Sequence, residues 1–571
     1  MRYSPVSTFL RIRLFALAIL LPMAGHLAAQ QYYVSPSGND SNPGTLNLPW
    51  RTIQHALDEA VAGTNIFLMG GTYTENADVH VSGTPGSFIT LTNYNGEHAI
   101  LSCSNGAPLL RLHDVRYVRV MGLELGNCAG NDAKGILIDG ACDHIEIRNN
   151  KLHDLNFSAD ANAPVTSTSA AYPVCIYGTS DSAATTSIVV SGNSIYNCRL
   201  GKAAAITVSG AVNGFTLSHN FIHDIAGNGI AVLSWNDIAA SHQTDQPQYG
   251  TLRWNQCLRC ADPLNSYAGI ILDGAAFCTV GNNDIAQNAF GLLVKCSSNL
   301  HTACDIAIRS NEISGNIVSG MMIGVPGNCE RLTMNNNTLV NNGDGAFPQV
   351  SLQNCTQSSF RNNILYADGA SLLIGIYGTN TDLVVDNNLY FQSQGQPQFQ
   401  SQSVYTSLSS WSAATGFDQH SLYTDPMFIN VPGGNLHVYG SSPAIDAGDS
   451  LYFAQPGETD MDSMARVQNG RVDIGADEYG TAVGIPVLIV ENGAKLILDA
   501  QTGTLDVLLA QPALRNSKLT LIASDGRVIA TTQVSAGSTT AHFNLAQQPT
   551  GRYSVYGDPM KGSASVLWNR R

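Results

Sequence analysis

One short pattern recurs through the middle of this chain and limits what it can fold into. It reads apolar, any, apolar, two of any kind, Asn, any, apolar. The repeated Asn are Asn150, Asn193, Asn220, Asn255, Asn283, Asn311, Asn337, Asn363 and Asn388, at steps of 43, 27, 35, 28, 28, 26, 26 and 25 residues. An earlier copy, VRVMGLEL, has Leu123 in the Asn place, 27 residues before Asn150. A period of this size marks a solenoid, in which each unit buries its apolar face only against its neighbours.

The period alone leaves a leucine-rich repeat open, and the second half of each unit decides. Eight to fourteen residues after the Asn comes another alternating segment, often opened by Gly: Gly229-Ile230-Ala231-Val232, Gly269-Ile270-Ile271-Leu272, Gly291-Leu292-Leu293-Val294, Gly320-Met321-Met322-Ile323. Alternation with period two means strand, not helix. Two or three strands per unit, joined by turns, describe one coil of a parallel β-helix. Like positions then stack in columns such as Ile147, Val190, Leu217, Leu252, Val280 and Ile308. Asn recurs because its amide can bond both the turn backbone and its own copy one coil away.

An open coil exposes core and strand edges, so its ends need covers. Thr52–Ala62 has helical spacing and suits a cap, ahead of Ile66–Met69 and the turn Gly70-Gly71-Thr72-Tyr73. Charged residues are only 12% of the chain and Gly numbers 54, which fits turn-rich β-structure rather than long surface helices. The expected organisation is all-β: a leader (1–29), an N-terminal strand and short capping helix (30–63), the β-helix (64–420), its closing segment (421–480) and a small C-terminal β-sandwich (481–571).

The leader reads as a secretory signal peptide. Arg2, Arg11 and Arg13 precede the apolar run Leu14–Met23, and Leu27-Ala28-Ala29 offers small residues before Gln30. The run is too short to span a bilayer, so no transmembrane segment is expected in the mature chain, which is read as secreted or held at the cell surface. The net charge of −15 becomes more negative once three arginines leave with the leader, and it argues against nucleic acid as partner. The same charge would repel a polyuronate unless a metal ion or basic patch intervened. Twelve Cys lie between Cys103 and Cys355, and export permits disulfides. Cys296 and Cys304 flank a short loop; Cys329 and Cys355 are one repeat apart and should stack, within bonding reach. Cys257-x-x-Cys260 has no second pair or His cluster and reads as structural.

Departures from the repeat mark where chemistry would sit. The step of 43 holds about 16 extra residues between Asn156 and Ser187, including Tyr172 and Tyr177. The step of 35 holds Trp235, Asn236, Asp237, His242, Asp245 and Tyr249. These segments could wall one cleft, with Trp235, Tyr172 and Tyr177 offering rings to sugar faces or simply packing locally. Alternation turns Asp273 and Lys295 outward at equivalent places one coil apart, with Asp139 further back in their column; Arg199 and Lys202 lie near the start of the neighbouring strand. His153-Asp154 and His223-Asp224 occupy equivalent columns and suit either turn or acid–base chemistry. The polygalacturonase set of NTD, DD and GHG together is not present, which ranks hydrolase below lyase.

Tyr32–Tyr73, YYVSPSGNDSNPGTLNLPWRTIQHALDEAVAGTNIFLMGGTY, resembles the start of secreted right-handed parallel β-helix proteins, among them polysaccharide lyases of the chondroitinase B type. With the repeats, the resemblance covers roughly residues 32–400. It implies an exported protein acting on an acidic polysaccharide by β-elimination, with calcium held by acids and Lys as base. Lys295 with Asp273, or Lys202 with Asp237, would fill those roles; Asp237 and Asp273 would be the metal ligands, and Trp235, Asp237, Tyr172, Tyr177 and Arg199 the substrate contacts. The alternative is a non-catalytic glycan-binding or adhesin-like surface protein. SSPAIDAGDS (Ser441–Ser450) with Asp460, Asp462, Arg466 and DIGADEYG resembles the closing segment of bacterial surface β-helices; its acids either hold calcium or tie a turn. LDVLLAQPALRNSKLTLIASDGRVIATTQV, with FNLAQQPTGRYSVY, resembles the sorting domain of the type IX secretion route and implies that machinery as a partner; Asp525-Gly526 marks a hairpin.

Overall fold

A computed structural model describes residues 30–480, except 104–107, 235–236, 240, 262–266, 299–300 and 344, and, between 487 and 568, the strands of a C-terminal unit with part of their connections. Residues 1–29, expected to be a leader, lie outside the described residues. The body is a right-handed parallel β-helix. Each full coil carries three strands, and each strand pairs in parallel with its copy one coil on.

The first face is a thirteen-stranded sheet running from Gln31–Val34 to Val384–Asp386. Its strands carry the alternating residues that precede the Asn. The short strands after the Asn, such as Lys151–Asn156 and Glu312–Ser314, make the second face. The Gly-opened segments, such as Ala133–Asp139, Ala171–Gly178 and Phe290–Lys295, make the third. The inward column is continuous: Ile147 pairs with Val190, then Leu217, Leu252, Val280 and Ile308, all without exposed surface. Burying a side chain of this size is worth about 1.5–3 kcal/mol, which makes such columns the main stabilising element of the coil.

The turn between first and second faces holds the Asn ladder. Asn150 Nδ2 donates to Asn193 Oδ1 (3.0 Å), and the backbone N–H of Asn150 donates to the same oxygen (3.0 Å). This double contact repeats at every rung to Asn388. The second amide hydrogen goes to a carbonyl in the strand before, for example Asn283 Nδ2 to Leu252 O (2.9 Å). The side-chain amide groups thus find partners away from water, which is what a buried amide requires. Leu123, at the first rung, uses only its N–H, donated to Asn150 Oδ1. The last rung, Asn388, donates to Asp418 Oδ1 (3.1 Å).

A second, shorter ladder is not apparent in the eight-residue pattern. Asn288 donates to Asn316 and Asn316 to Asn342, at 3.0 and 2.8 Å. Asn342 Nδ2 reaches Gln349 Oε1 (3.4 Å). Each of these Asn follows a ladder Asn by five residues, and that offset is the sequence signal.

Both ends are covered. The helix Ile53–Asp58, capped by Thr52, buries Ile53, Ala56 and Leu57 at the first coil. At the other end the helix Leu408–Thr415 buries Trp411, whose Nε1 donates to Asp418 Oδ2 (2.8 Å). Asp418 therefore ties ladder and plug together, an end cover not anticipated from sequence.

The closing segment lies against the β-helix. Asn282 Nδ2 donates to the carbonyls of Thr459 and Asp460, and Asn336 Nδ2 to that of Asp473. Asn362 Oδ1 accepts from Asp449 N–H (2.7 Å). These three residues each precede a ladder Asn. In these three Asn-Asn pairs the first Asn holds the closing segment while the second holds the coil. Arg466 is fully buried and donates to the carbonyls of Ala476, Asp473 and Gly475; Asp460 accepts from the N–H groups of Asp462, Met464 and Glu478. Asp460 and Arg466 therefore tie turns.

Cys103 and Cys128 form a disulfide between neighbouring coils. Cys329 and Cys355 stand opposite each other in register but remain thiols, as do Cys296 and Cys304. Cys257 and Cys260 are buried in the core. The C-terminal unit contains two four-stranded antiparallel sheets around a core that includes Leu496, Val507, Leu519, Leu521, Phe543 and Val555. Strands Ser517–Ala523 and Val528–Val534 pair as a hairpin whose turn, with Asp525 and Gly526, lies outside the described residues.

Candidate functional site

The third face collects the outward polar side chains. Register places His113, Asp139, Tyr177, Ser209, Leu233, Asp273 and Lys295 in one column, one per coil. At about 4.8 Å per strand, Tyr177 and Lys295 are four steps and roughly 19 Å apart. They cannot act on one bond, but a polymer lying along the axis would meet both.

At one end, Lys295 Nζ is 3.1 Å from Asp273 Oδ2. Ser297 completes the group, its N–H donating to Asp273 Oδ1 (2.7 Å) and its Oγ–H to Oδ2 (2.8 Å). The adjacency expected from alternation is present, and Ser297 is an addition from the loop that follows the strand. At the other end, Arg111 donates to Asp139 through Nε (3.1 Å) and Nη2 (2.6 Å), and His113 Nδ1 lies 3.1 Å from Asp139 Oδ1. Arg111 and His113 were not singled out from sequence, though the alternation in Leu110–His113 turns both outward. Asp139 holds the Arg111 guanidinium firmly in its charged form through this hydrogen-bonded pair.

Between these ends stand Tyr172 and Tyr177, in strand Ala171–Gly178 rather than in the loop. Lys134 Nζ lies 5.5 Å from the Tyr172 ring centroid and 2.5 Å from Asp132. Burial raises both phenols, that of Tyr177 far above the ordinary range, so Tyr177 is a proton donor and not a base near neutrality. The two insertions border this face from opposite edges: residues 157–170 lead into Ala171–Gly178, and 234–247 follow Phe221–Leu233. Ser241 N–H donates to Asp181 Oδ1 (2.9 Å), which links the second insertion to a neighbouring turn.

Other expected residues take different places. Arg199 is not available to substrate. Its Nη1 and Nη2 donate to the carbonyls of Asp160 and Ala163 (2.8 Å each), and its guanidinium lies over Phe157. A bidentate donor is what an insertion without strands of its own needs in order to hold its carbonyls. Lys202 is exposed, with its ammonium 6.0 Å from the Tyr267 ring centroid. Asp237 is 81% exposed, beside His242 (3.7 Å). Lys202 and Asp237 thus sit with different partners. Asp245 is buried and accepts from Ile238 N–H. Tyr249 belongs to the first face. Trp235 and Asn236 lie outside the described residues. His153 and His223 stack with Tyr196 between them on the second face, at 5.2 and 5.4 Å. Their acids are engaged: His153 touches Glu124 and Asp154, and Arg259 clamps Asp224, holding its carboxyl well below the usual range.

A calcium ion wants six to eight oxygens. Both Asp273 oxygens are already engaged, and Asp237 is almost wholly solvated, so this pair does not form a calcium cage. Among the described residues, the grouping of three or more His, Cys, Asp or Glu close enough to share an ion is His437, Asp462 and Asp477, in the closing segment. There His437 Nε2 is 3.2 Å from Asp462 and Nδ1 is 2.8 Å from Asn435 Oδ1.

The family described as Pel9A-like, right-handed β-helix region, matches residues 32–223. YwoF of Bacillus subtilis, itself uncharacterized, is 29% identical over 439 residues, 72% of this chain and 91% of that one. The pectate lyase PEL9 of Emericella nidulans is 35% identical over 116 residues, 17% of this chain and 28% of that one. Of solved structures, pectate lyase Pel9A superposes with a TM-score of 0.45 at 14% identity, covering 79% of this chain and 96% of its own. The lacto-N-biosidase of Eubacterium ramulus gives 0.44 at 14%, covering 69% and 67%.

Proposed function

We propose that this is an exported polysaccharide-processing β-helix protein whose third face carries out β-elimination on an acidic polysaccharide. The observation that supports this most is the single outward column from Asp139 through Tyr177 to Asp273 and Lys295, bordered by two insertions. Elimination needs a base for the proton beside the uronate carboxylate, and cationic groups to meet that carboxylate. Lys295, as the free amine, is the base, positioned by Asp273, which Ser297 holds in turn. As it takes the proton, the C–H electrons form the C=C bond, the glycosidic C–O bond breaks and the leaving oxygen takes a proton from water. Lys202, exposed near the start of a strand three coils and roughly 14 Å away, meets the charge of another uronate of the same polymer. Tyr177 and Tyr172 pack against a sugar several residues along the same chain. The local match to a pectate lyase supports the substrate class.

No step is assigned to calcium, because it would have to displace Ser297 or Lys295 from Asp273. The leader and C-terminal sandwich are proposed as export and type IX sorting elements that place the protein outside the cell or on its surface. The test is formation of the unsaturated product, followed by ultraviolet absorbance, on a panel of polyuronates with and without a chelator. Activity should survive chelation and fall at least a hundredfold in Lys295→Ala. Product formed equally by Lys295→Ala would reject the assignment. A non-catalytic glycan-binding protein is the second reading, favoured by the exposed rings on the first face.

A further inference from the structure

The first face presents a column of side chains where the chain leaves each turn, at positions of positive φ from Tyr117 onward. In register these are Phe88, Tyr117, His144, Ser187, Gly214, Tyr249 and Phe277. Rings stack on both sides of a break. Tyr117 and His144 lie 4.6 Å apart, and Tyr249 and Phe277 lie 5.0 Å apart with planes within 9°. Tyr249 is 55% exposed and Phe277 43%. The break is made by Ser187 and Gly214, whose small side chains leave a notch of about 340 Å³. From His144 to Tyr249 is three steps, roughly 14 Å. Glu146, Asn213, Thr216 and Thr251 give the lining polar atoms, and Val189 and Phe215 an apolar floor. Arg119 and Arg148 both bind Glu146 Oε2, at 2.6 and 2.9 Å, so the acid is neutralised.

Exposed parallel rings are costly in water and mark contact surfaces. A notch with ring walls and a hydroxyl-bearing rim matches a pyranose chain, which has apolar C–H faces and hydroxyls round its edge. A protein partner would call for a broad apolar surface, and this one is narrow and polar-edged. We infer that the notch between His144 and Tyr249 is a second, non-catalytic binding site for the polysaccharide, which holds it by ring stacking and not by charge. The inference rests on the proposal that the protein acts on such a polymer. It adds a tether on another face of the coils that carry Tyr177 and Ser209. Two sites on one long chain raise its local concentration at the third face, an effect that short oligosaccharides cannot show.

The experiment measures retention of the full-length protein by immobilised polygalacturonate and by neutral xylan, at low and high salt, beside product formation on short and long chains. Tyr249→Ala/Phe277→Ala should weaken retention about tenfold, with little dependence on salt, and leave turnover of short oligosaccharides unchanged. Gly214→Tyr should do the same by filling the notch. A Cβ there would meet only Ser187 N at 3.9 Å, but the φ of +86° lies beyond the +52° and +54° of Tyr117 and Tyr249, so this variant carries backbone strain and the ring-deletion variant, which adds none, is its check. Retention unchanged in both variants, retention abolished by salt, or no retention of the parent protein would each overturn the inference. Lys295→Ala separates the two claims: if it keeps full turnover while the notch variants lose retention, the elimination site fails and the tether stands.

Discussion

Asn283→Ala tests the ladder at an interior rung. The Asn283 side chain makes four hydrogen bonds: it accepts from Asn255 N–H (2.9 Å) and Asn255 Nδ2 (3.0 Å), and donates to Leu252 O and Asn311 Oδ1 (2.9 Å each). Asn311 Oδ1 keeps the N–H of residue 283 (3.1 Å), so it is not stranded. The N–H of Asn255, one of its amide hydrogens and the Leu252 carbonyl lose a partner where no water reaches. At about 1–3 kcal/mol for each of these three buried unpaired groups, the loss is roughly 3–9 kcal/mol. Stability in a solenoid is a sum of coils and interfaces, so one weak interface should also divide the unfolding transition. Equilibrium guanidinium denaturation followed by circular dichroism measures both effects, with exposed Asn162→Ala as control, expected within about 0.5 kcal/mol of the parent. A loss below about 1 kcal/mol with a single unchanged slope would refute the claim that these amides satisfy one another in the core.

The closing segment should loosen as pH rises. Burial disfavours the charged His437 ring, but Asp477 and Asp462 outweigh it and raise its pKa to about 10, while burial lifts Glu312 to about 8. Both folded values exceed the unfolded ones. The Glu312 contribution therefore declines as pH climbs from about 4.5 to 8, and that of His437 from about 6.5 to 10. Melting temperature against pH should fall across this window, and Glu312→Gln should flatten its lower part; parallel curves would contradict the assignment. The buried thiols should resist modification in the native state, because burial raises Cys142 to about 11 and Cys278 and Cys355 to about 12. A chromogenic thiol reagent should titrate them only after denaturation, and fast native labelling of these three would count against the packing. Arg199→Ala should expose residues 157–170 to limited proteolysis with little change in melting temperature, and an unchanged digestion pattern would show that the two carbonyl contacts do not hold that loop.

How far the molecule could be read in advance follows from where each constraint is written. The coil was legible because its period is stated nine times by Asn and twice per unit by alternation. Inward columns and the Asp273–Lys295 adjacency come from parity alone. Ser297 and Arg111 were harder, since a carboxylate's second partner comes from a turn or from the coil before, and spacing does not show which. Arg199 was misread for a related reason. An arginine beside an insertion looks available, yet the insertion's own carbonyls compete for it, and they are present before any ligand arrives. The plug at Trp411 and Asp418 carries no repeat, so nothing in the period announced it.

The three faces differ in what covers them, and the residue before each ladder Asn helps decide this. Where it is Asn282, Asn336 or Asn362, a side chain stands beside the turn to receive the closing segment, and the adjacent second face there is half-buried, with the Asp284 and Glu312 carboxyls raised by desolvation. Where it is Asn149, His219 or Trp254, the corresponding coils carry the insertions, most of the Tyr177 column and the ring-lined notch. The closing segment therefore docks mainly on the late coils, reaches the middle ones at Arg253 and Asn282 beside the turn, and leaves the first and third faces of those coils for ligands. That division follows from the chain itself. A segment arriving after residue 420 docks first on the coils it has just left. The polymer-binding surfaces are accordingly expected on coils between about residues 110 and 300, which is where both proposed sites fall.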